Sequence, residues 1–384
     1  MYDQDFRDSS VTLSTGDYSI RPEGQVLIKS HVRLRPFFKL YIINVLMQLI
    51  TLGFYRFWGK TEIRRHMWSH VECLGDRFEY TGTAKDLIKG FLIVLVVFLL
   101  PLVIIRRVAS VFVIVGMEIS PKLLIAEYLI NILFIVFFFS VATFSARRYK
   151  LSRTNWRGIH SAQKGSALVY GLLYVGCVFI TLLTVGLAWP ACSVVLMRYK
   201  MAHTWIGTQQ LGFEPSIGVL YKSFVVVWTA LAGLLFLEGY FFQTLLLEFY
   251  QYLQESDLEM AVMAFMTGLP GLLFLIPVVP GIPLLLWYRG KTLHHFVESS
   301  SFMGRRLSSV ITGWGYLELV ISNTIMTVLT LGLAVPFTMM RQLSYVEKHV
   351  GLSGDGNFAE LLQSEVVKPG AGEGLADAFD VGAI

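Results

Sequence analysis

The strongest constraint on this chain is a motif written three times: a long apolar run ending in Thr-x-Gly, then a shorter apolar or aromatic run that ends at Arg. The copies are Thr51 to Arg65 (TLGFYRFWGKTEIRR), Thr184 to Arg198 (TVGLAWPACSVVLMR) and Thr330 to Arg341 (TLGLAVPFTMMR). Counted from each Thr, Asn44 and Asn323 stand seven residues before it, Pro190 and Pro336 six after, and Arg65 and Arg198 fourteen after. Spacing kept at several positions marks a structural unit used repeatedly. The turn residues Thr51, Gly53, Thr184, Gly186, Thr330 and Gly332 are therefore expected to do the same job in each copy. Glycine there permits positive φ, and a proline shortly after the turn suits the first turn of a returning helix.

The first copy, from Asn44 through Thr51-Leu52-Gly53-Phe54-Tyr55 and Trp58 to Gly75-Asp76-Arg77-Phe78-Glu79-Tyr80, resembles the YjgN family of bacterial inner-membrane proteins, over roughly residues 25 to 90. Phe57 takes the place of that family's Pro before the Trp; Pro190 and Pro336 hold it in the later copies. The resemblance implies a membrane protein, hints at a link to membrane proteolysis or envelope maintenance, and brings no catalytic residue with it.

Composition leads to the membrane independently. The chain is 54% hydrophobic with 28 Phe, only 15% charged, and its mean hydropathy is +0.59, far from the balance of a soluble domain. Further runs at Leu87–Ile105, Leu123–Phe144, Phe224–Leu247 and Met260–Tyr288 approach the ~20 residues that cross a bilayer. The expected class is an all-α polytopic membrane protein built from repeats of one Gly-interrupted segment plus two transmembrane helices. Its blocks are a flexible 1–24, repeat 1 at 25–160, repeat 2 at 161–306, a partial repeat 3 at 307–350 and a disordered tail at 351–384. Alternation in QVLIKSHVRLR and RFEYT predicts a short cytoplasmic β-ribbon between them. No apolar stretch precedes Phe37, so no cleaved signal peptide is expected.

Charge sets the orientation. The loop Glu248 to Glu259 carries four acids and no Lys or Arg, which places it outside, whereas 147–164 and the Arg198 region are basic and belong in the cytosol. Both basic loops flank the second interrupted segment. If each Thr-x-Gly segment enters and returns on the cytosolic side, the conflict disappears: four spans remain, both termini are cytosolic, and Arg106-Arg107 is the one basic pair outside. The alternative has all seven segments crossing, as in inverted-repeat transporters.

Ionisable and amide groups at membrane depth are candidates for function: Glu238, Glu127, Glu318, Asn44, Asn131 and Asn323. Interhelical hydrogen bonding is the plainer role for the asparagines. Pro270, Pro277, Pro280 and Pro283, with Gly268, Gly271 and Gly281, predict a broken helix in 260–288. Arg64, Arg65, Arg148, Arg198 and Arg341, which follow apolar segments and often have an aromatic nearby, are candidate contacts for anionic lipid headgroups or plain interfacial anchors. Glu62, His66 and His70 share a helix face with Cys73 beyond, but match no known metal pattern, and metal is not expected. Three cysteines, two of them in apolar runs, argue against a disulfide framework. Nucleophile elbow, phosphate loop and Cys-x-x-Cys are missing from the sequence, and enzyme chemistry, cofactors and nucleic acid are not expected. Two function classes remain: transport or permeation of a small solute, ion or lipid, and a membrane scaffold or partner-binding subunit. Anionic headgroups are the expected partners, with a protein partner for the scaffold.

Overall fold

In the computed structural model, residues 25–94, 121–255 and 275–353 are described, with isolated positions between 96 and 107. The expected flexible 1–24, most of the tail, Arg106, Pro270, Gly268, Gly271 and the distal half of the acidic loop lie outside them.

Strands and helices alternate so that one plan repeats five times among the described residues: strand, rising helix, returning helix, strand. The first unit has β1 (Gln25–Val26) and β2 (Ile28–Ser30), α1 (Leu34–Ile50), α2 (Arg56–Ser69) and β3 (Val71–Cys73). The second has β4 (Asp76–Tyr80), α3 (Ala84–Val94), α4 (Pro121–Ser152) and β5 (Thr154–Trp156). The third has β6 (Ile159–Gln163), α5 (Ala167–Leu183), α6 (Trp189–Ala202) and β7 (Thr204–Ile206). The fourth has β8 (Gln209–Gln210), β9 (Gly212–Phe213), α7 (Ile217–Glu255), α8 (Leu275–Glu298) and β10 (Ser300–Phe302). The fifth has β11 (Arg305–Ser309), α9 (Gly313–Leu329), α10 (Val335–His349) and β12 (Val350–Leu352).

The strands close on themselves. One sheet runs β2-β3-β4-β5-β6-β7-β8 and the other β1-β12-β11-β10-β9, all antiparallel. Since β1 and β2 are one strand interrupted at Leu27, and β8 and β9 one interrupted at Leu211, the two sheets share both end strands and form a ring. A closed ring leaves no edge to pair with another chain. Adjacent units meet in tight hairpins whose tips, Leu74-Gly75, Arg157-Gly158 and Met303-Gly304, have both residues at positive φ, the turn whose twist matches paired strands. Trp156, Ile159 and Phe302 pack with Cys73, Phe78, Ile206, Leu211 and Met303 in one cluster that joins much of the ring.

The helices follow the same circle: α2 packs on α3, α4 on α5, α6 on α7, α8 on α9, and α10 on α1. Three hairpins are short, their rising helices 17 residues long, or about 26 Å. Two are long, with α4 of 32 residues and α7 of 39. Glu127–Ser152 and Ile217–Thr244 are long and apolar enough to cross a membrane, and only 17% of each apolar window is buried.

Several expectations are corrected. The fold is not all-α: the β-ring organises it, because each helix end needs a strand to satisfy the connecting backbone. The N-terminal strand pairs with Val71–Cys73 rather than with the RFEYT strand, which instead pairs with Thr154–Trp156, since the helix hairpin between them returns at Val71. Gly351 and Leu352, expected in the tail, belong to the last strand, with Leu352 buried. The helix α8 is continuous through Pro280 and Pro283, so it does not unwind there, and Leu231 lies 3.2 Å from where a Cβ on Gly281 would lie; the first half of the 260–288 run lies outside the described residues.

Candidate functional site

The Thr-x-Gly turns come out as three copies of one microstructure. Thr51, Thr184 and Thr330 end their helices, and the next residues, Leu52, Val185 and Leu331, adopt φ of 51°, 51° and 49° before glycines at 88°. The glycine N–H donates back five residues, Gly53 to Gln48 O at 2.6 Å, Gly186 to Thr181 O at 2.7 Å and Gly332 to Thr327 O at 2.8 Å, as in a Schellman cap. The threonine then bridges the helices: Thr184 Oγ1 donates to Ile180 O at 2.8 Å and accepts from Ala188 N–H at 3.0 Å. Thr51 and Thr330 repeat both bonds. Neighbouring units cap leftover carbonyls. Trp228 Nε1 donates to Val185 O and Tyr221 OH to Leu187 O, both at 2.9 Å, and Tyr41 OH donates to Gly332 O at 2.9 Å. A turn so satisfied needs no water, yet its apolar side chains are bare: Leu52 is 97% exposed, Leu331 93% and Val185 76%.

At the opposite ends the helices pass into the ring through a second repeated device, missed in the sequence. His70, His203 and His349 each precede a strand, and their Nδ1–H donates to the carbonyl four residues back at 2.7, 2.7 and 2.8 Å. The residue at that carbonyl, His66, Tyr199 or Tyr345, lays its ring against the histidine. Tyr149 with Arg153 and His295 with Ser299 occupy the same places in the long units. The sequence signal was the recurrent aromatic five residues before a short strand.

Between α5, α6 and α8 lies a cleft of about 350 Å³. Its polar end holds Lys200 and Arg289 with Tyr170 and Tyr174; its other end is walled by Val178, Thr181 and Trp189. Lys200 Nζ sits 5.2 Å from the centre of the Tyr170 ring. Behind it Arg147 Nη2 donates to Thr204 Oγ1 at 3.2 Å. Among the described residues none of these three cations makes an ion pair with a carboxylate. Burial brings the Lys200 ammonium down to about 8, and the Arg147 guanidinium adds to the shift. A cation held against desolvation and like charge calls for an anion. Lys200 was not singled out in the sequence, where Arg198, two residues earlier, was; Arg198 is exposed, and nothing in the string separates the two.

The other candidate residues scatter. Glu238 is half-buried on α7 with no bonded partner among the described residues. Glu127 is bonded by Asn131 Nδ2, at 3.4 Å to its carboxylate and 2.9 Å to its carbonyl, and Glu318 is exposed. Asn44 is fully buried against Gly59 with neither amide atom bonded, while Asn323 Oδ1 accepts from Arg341 Nη1 at 3.0 Å. The arginines do not converge on one site. Arg65 donates to Gly82 O and Arg148 to Gly165 O, each clasping the approach to the next unit's helix, and Arg64 reaches Tyr80 OH at 3.5 Å. His66 and His70 stack on each other, and among the described residues no group of three His, Cys, Asp or Glu is placed to hold a metal. Cys73 packs in the ring core, where burial pushes its thiol up to about 12.

No curated protein and no solved structure gives a significant match to the chain. A family model described as "Bacterial protein of unknown function (DUF898)" matches residues 31–378, which covers nearly the whole ring and every helix hairpin. The chain belongs to that bacterial family, of which YjgN is another name.

Proposed function

We propose that this is a non-enzymatic, multi-pass protein of the bacterial inner membrane that takes anionic lipid headgroups into the Lys200 cleft and moves or sorts the lipids that carry them. The β-ring, and with it both ends of every hairpin, lies on the cytosolic side in this reading. The two long hairpins cross the bilayer. The three short ones enter and return, their bare Leu52, Val185 and Leu331 tips in hydrocarbon. Irregular backbone is tolerated in lipid only if its polar groups are satisfied, and the threonine bridges supply that. Lys200, two residues from the end of α6, then stands at headgroup level, with the apolar end of the cleft running toward the acyl region.

The observation that carries the proposal is the half-buried, carboxylate-free Lys200 at the head of an amphipathic cleft. An anionic phospholipid matches both ends, since a phosphate answers the cations and a chain fills the apolar wall. The apolar wall of the cleft favours lipid over a dissolved ion as the cargo. The same closed ring favours the second reading, a membrane scaffold. To separate them, the protein is reconstituted with phosphatidylglycerol and phosphatidylcholine and its retained lipid is weighed by native mass spectrometry. The lipid reading expects phosphatidylglycerol retained by wild type and by Lys222→Ala, and lost from Lys200→Ala. Equal retention by all three leaves the scaffold.

A further inference from the structure

The three short hairpins have a common point of closest approach, seven residues before the threonine and eight after it. In the first hairpin these are Asn44 and Gly59, in the third Asn323 and Thr338, and in the second Cys177 and Cys192. At Gly59 a Cβ would lie 3.2 Å from Asn44 Cβ, so the two helices touch there at their axes. Asn44, Asn323, Thr338 and Cys192 are all buried. In the second hairpin Cys192 Sγ lies 3.5 Å from Cys177 O and receives the Thr181 hydroxyl at 3.7 Å. Both cysteines line the same cleft from facing helices. Disulfides need Cβ atoms about 3.5–4.5 Å apart, and here the two cysteines face each other across the crossing, with the Cys192 thiol in contact with the backbone of Cys177.

We infer that Cys177 and Cys192 form a redox-active dithiol, oxidised to a disulfide within the hairpin by a membrane-dissolved two-electron oxidant of the quinone class. Two S–H bonds break and one S–S bond forms; the two electrons and two protons reduce the quinone to the hydroquinone. The site is placed for that reagent. Cys177 is ten residues into α5, about 15 Å from the ring by helical rise, with one flank partly open. A soluble thiol reductant reaches that depth poorly, whereas a quinone dissolves there. The product pins α5 to α6 across the floor of the cleft without disturbing Lys200, and its formation does not depend on what the cleft binds.

The test uses full-length protein in phosphatidylcholine vesicles, treated with a short-chain benzoquinone or with buffer, then denatured and alkylated with a maleimide. Wild type should carry three adducts before oxidation and one after, with the remaining adduct on Cys73 and a cross-linked 177–192 peptide that reductant dissolves. Cys192→Ser should carry two adducts under both conditions. The double variant N44C/G59C, in a chain also carrying C192S, should lose two adducts on oxidation because it copies the same crossing point. Three adducts on oxidised wild type, or a cross-link mapped to Cys73, overturns the inference, and does so most sharply if the engineered pair in the first hairpin closes.

Discussion

Replacing Thr184 with valine removes one oxygen atom from a hairpin tip and tests where that tip lives. Valine keeps the shape, so no cavity opens. What is lost is the hydroxyl that donates to Ile180 O and accepts from Ala188 N–H at 3.0 Å. Ile180 O still accepts from Thr184 N–H at 3.0 Å, so its share is small. Ala188 N–H has no second acceptor in the turn. Where water reaches the tip, a water replaces the hydroxyl and the loss is that of a helix cap, about 0.5–1 kcal/mol at the lower end of measured values. In hydrocarbon nothing replaces it, and an orphaned N–H costs about 1–3 kcal/mol or more. The expected loss in bicelles is therefore roughly 2 kcal/mol, about a thirtyfold shift in the unfolding equilibrium, read from reversible unfolding in sodium dodecyl sulfate. Thr184→Ser keeps the oxygen and should stay within about 0.5 kcal/mol of wild type. The same pair of substitutions at Thr51 and Thr330 should repeat the contrast. If valine costs no more than the roughly 0.5–1 kcal/mol of a solvated cap, the tip is wet and the re-entrant arrangement is refuted.

The remaining expectations are shorter. Anion binding at the cleft requires the Lys200 ammonium, held near 8 when the cleft is empty. Phosphatidylglycerol affinity should thus be flat below pH 8 and fall by up to tenfold per unit above it, while Lys200→Arg, which does not titrate, flattens the profile; an unchanged slope in that variant rules Lys200 out. The same lowered value works the other way on the lipid-free fold: the unfolded chain binds the extra proton between about pH 8 and 10.5, so stability rises across that window, and Lys200→Met should abolish the rise. Trp156, buried in the ring with Nε1 donating to Cys73 O at 3.0 Å, should cost roughly 3–5 kcal/mol when cut to alanine, and because the ring joins all five units the loss should appear in every helix at once by hydrogen exchange. Single cysteines at Ser152 and Thr208 in a cysteine-free background should resist an impermeant maleimide in intact cells and react in inverted vesicles. Labelling of either from outside reverses the proposed orientation.

The linear text already contained the hairpins. Thr-x-Gly after an apolar run, repeated with fixed offsets to Asn44, Pro190 and Arg198, is local information, because a helix cap is made by residues within a few positions of one another. For the same reason the X-Gly turns at Gly75, Gly158 and Gly304 lay open to reading as strand hairpins, though the long helices between them hid the fivefold plan. The ring was beyond reach: β1 pairs with β12 across more than 300 residues, and strands of two or three residues carry too little alternation to announce themselves. Only tertiary packing set Lys200 beside Arg147 and Arg289, placed Cys177 opposite Cys192, and left Arg198, equal to Lys200 in charge and two residues away, facing outward. Periodicity and capping are decided between neighbours along the chain. Which cation is stripped of its carboxylate is decided by elements that meet only after the ring has closed.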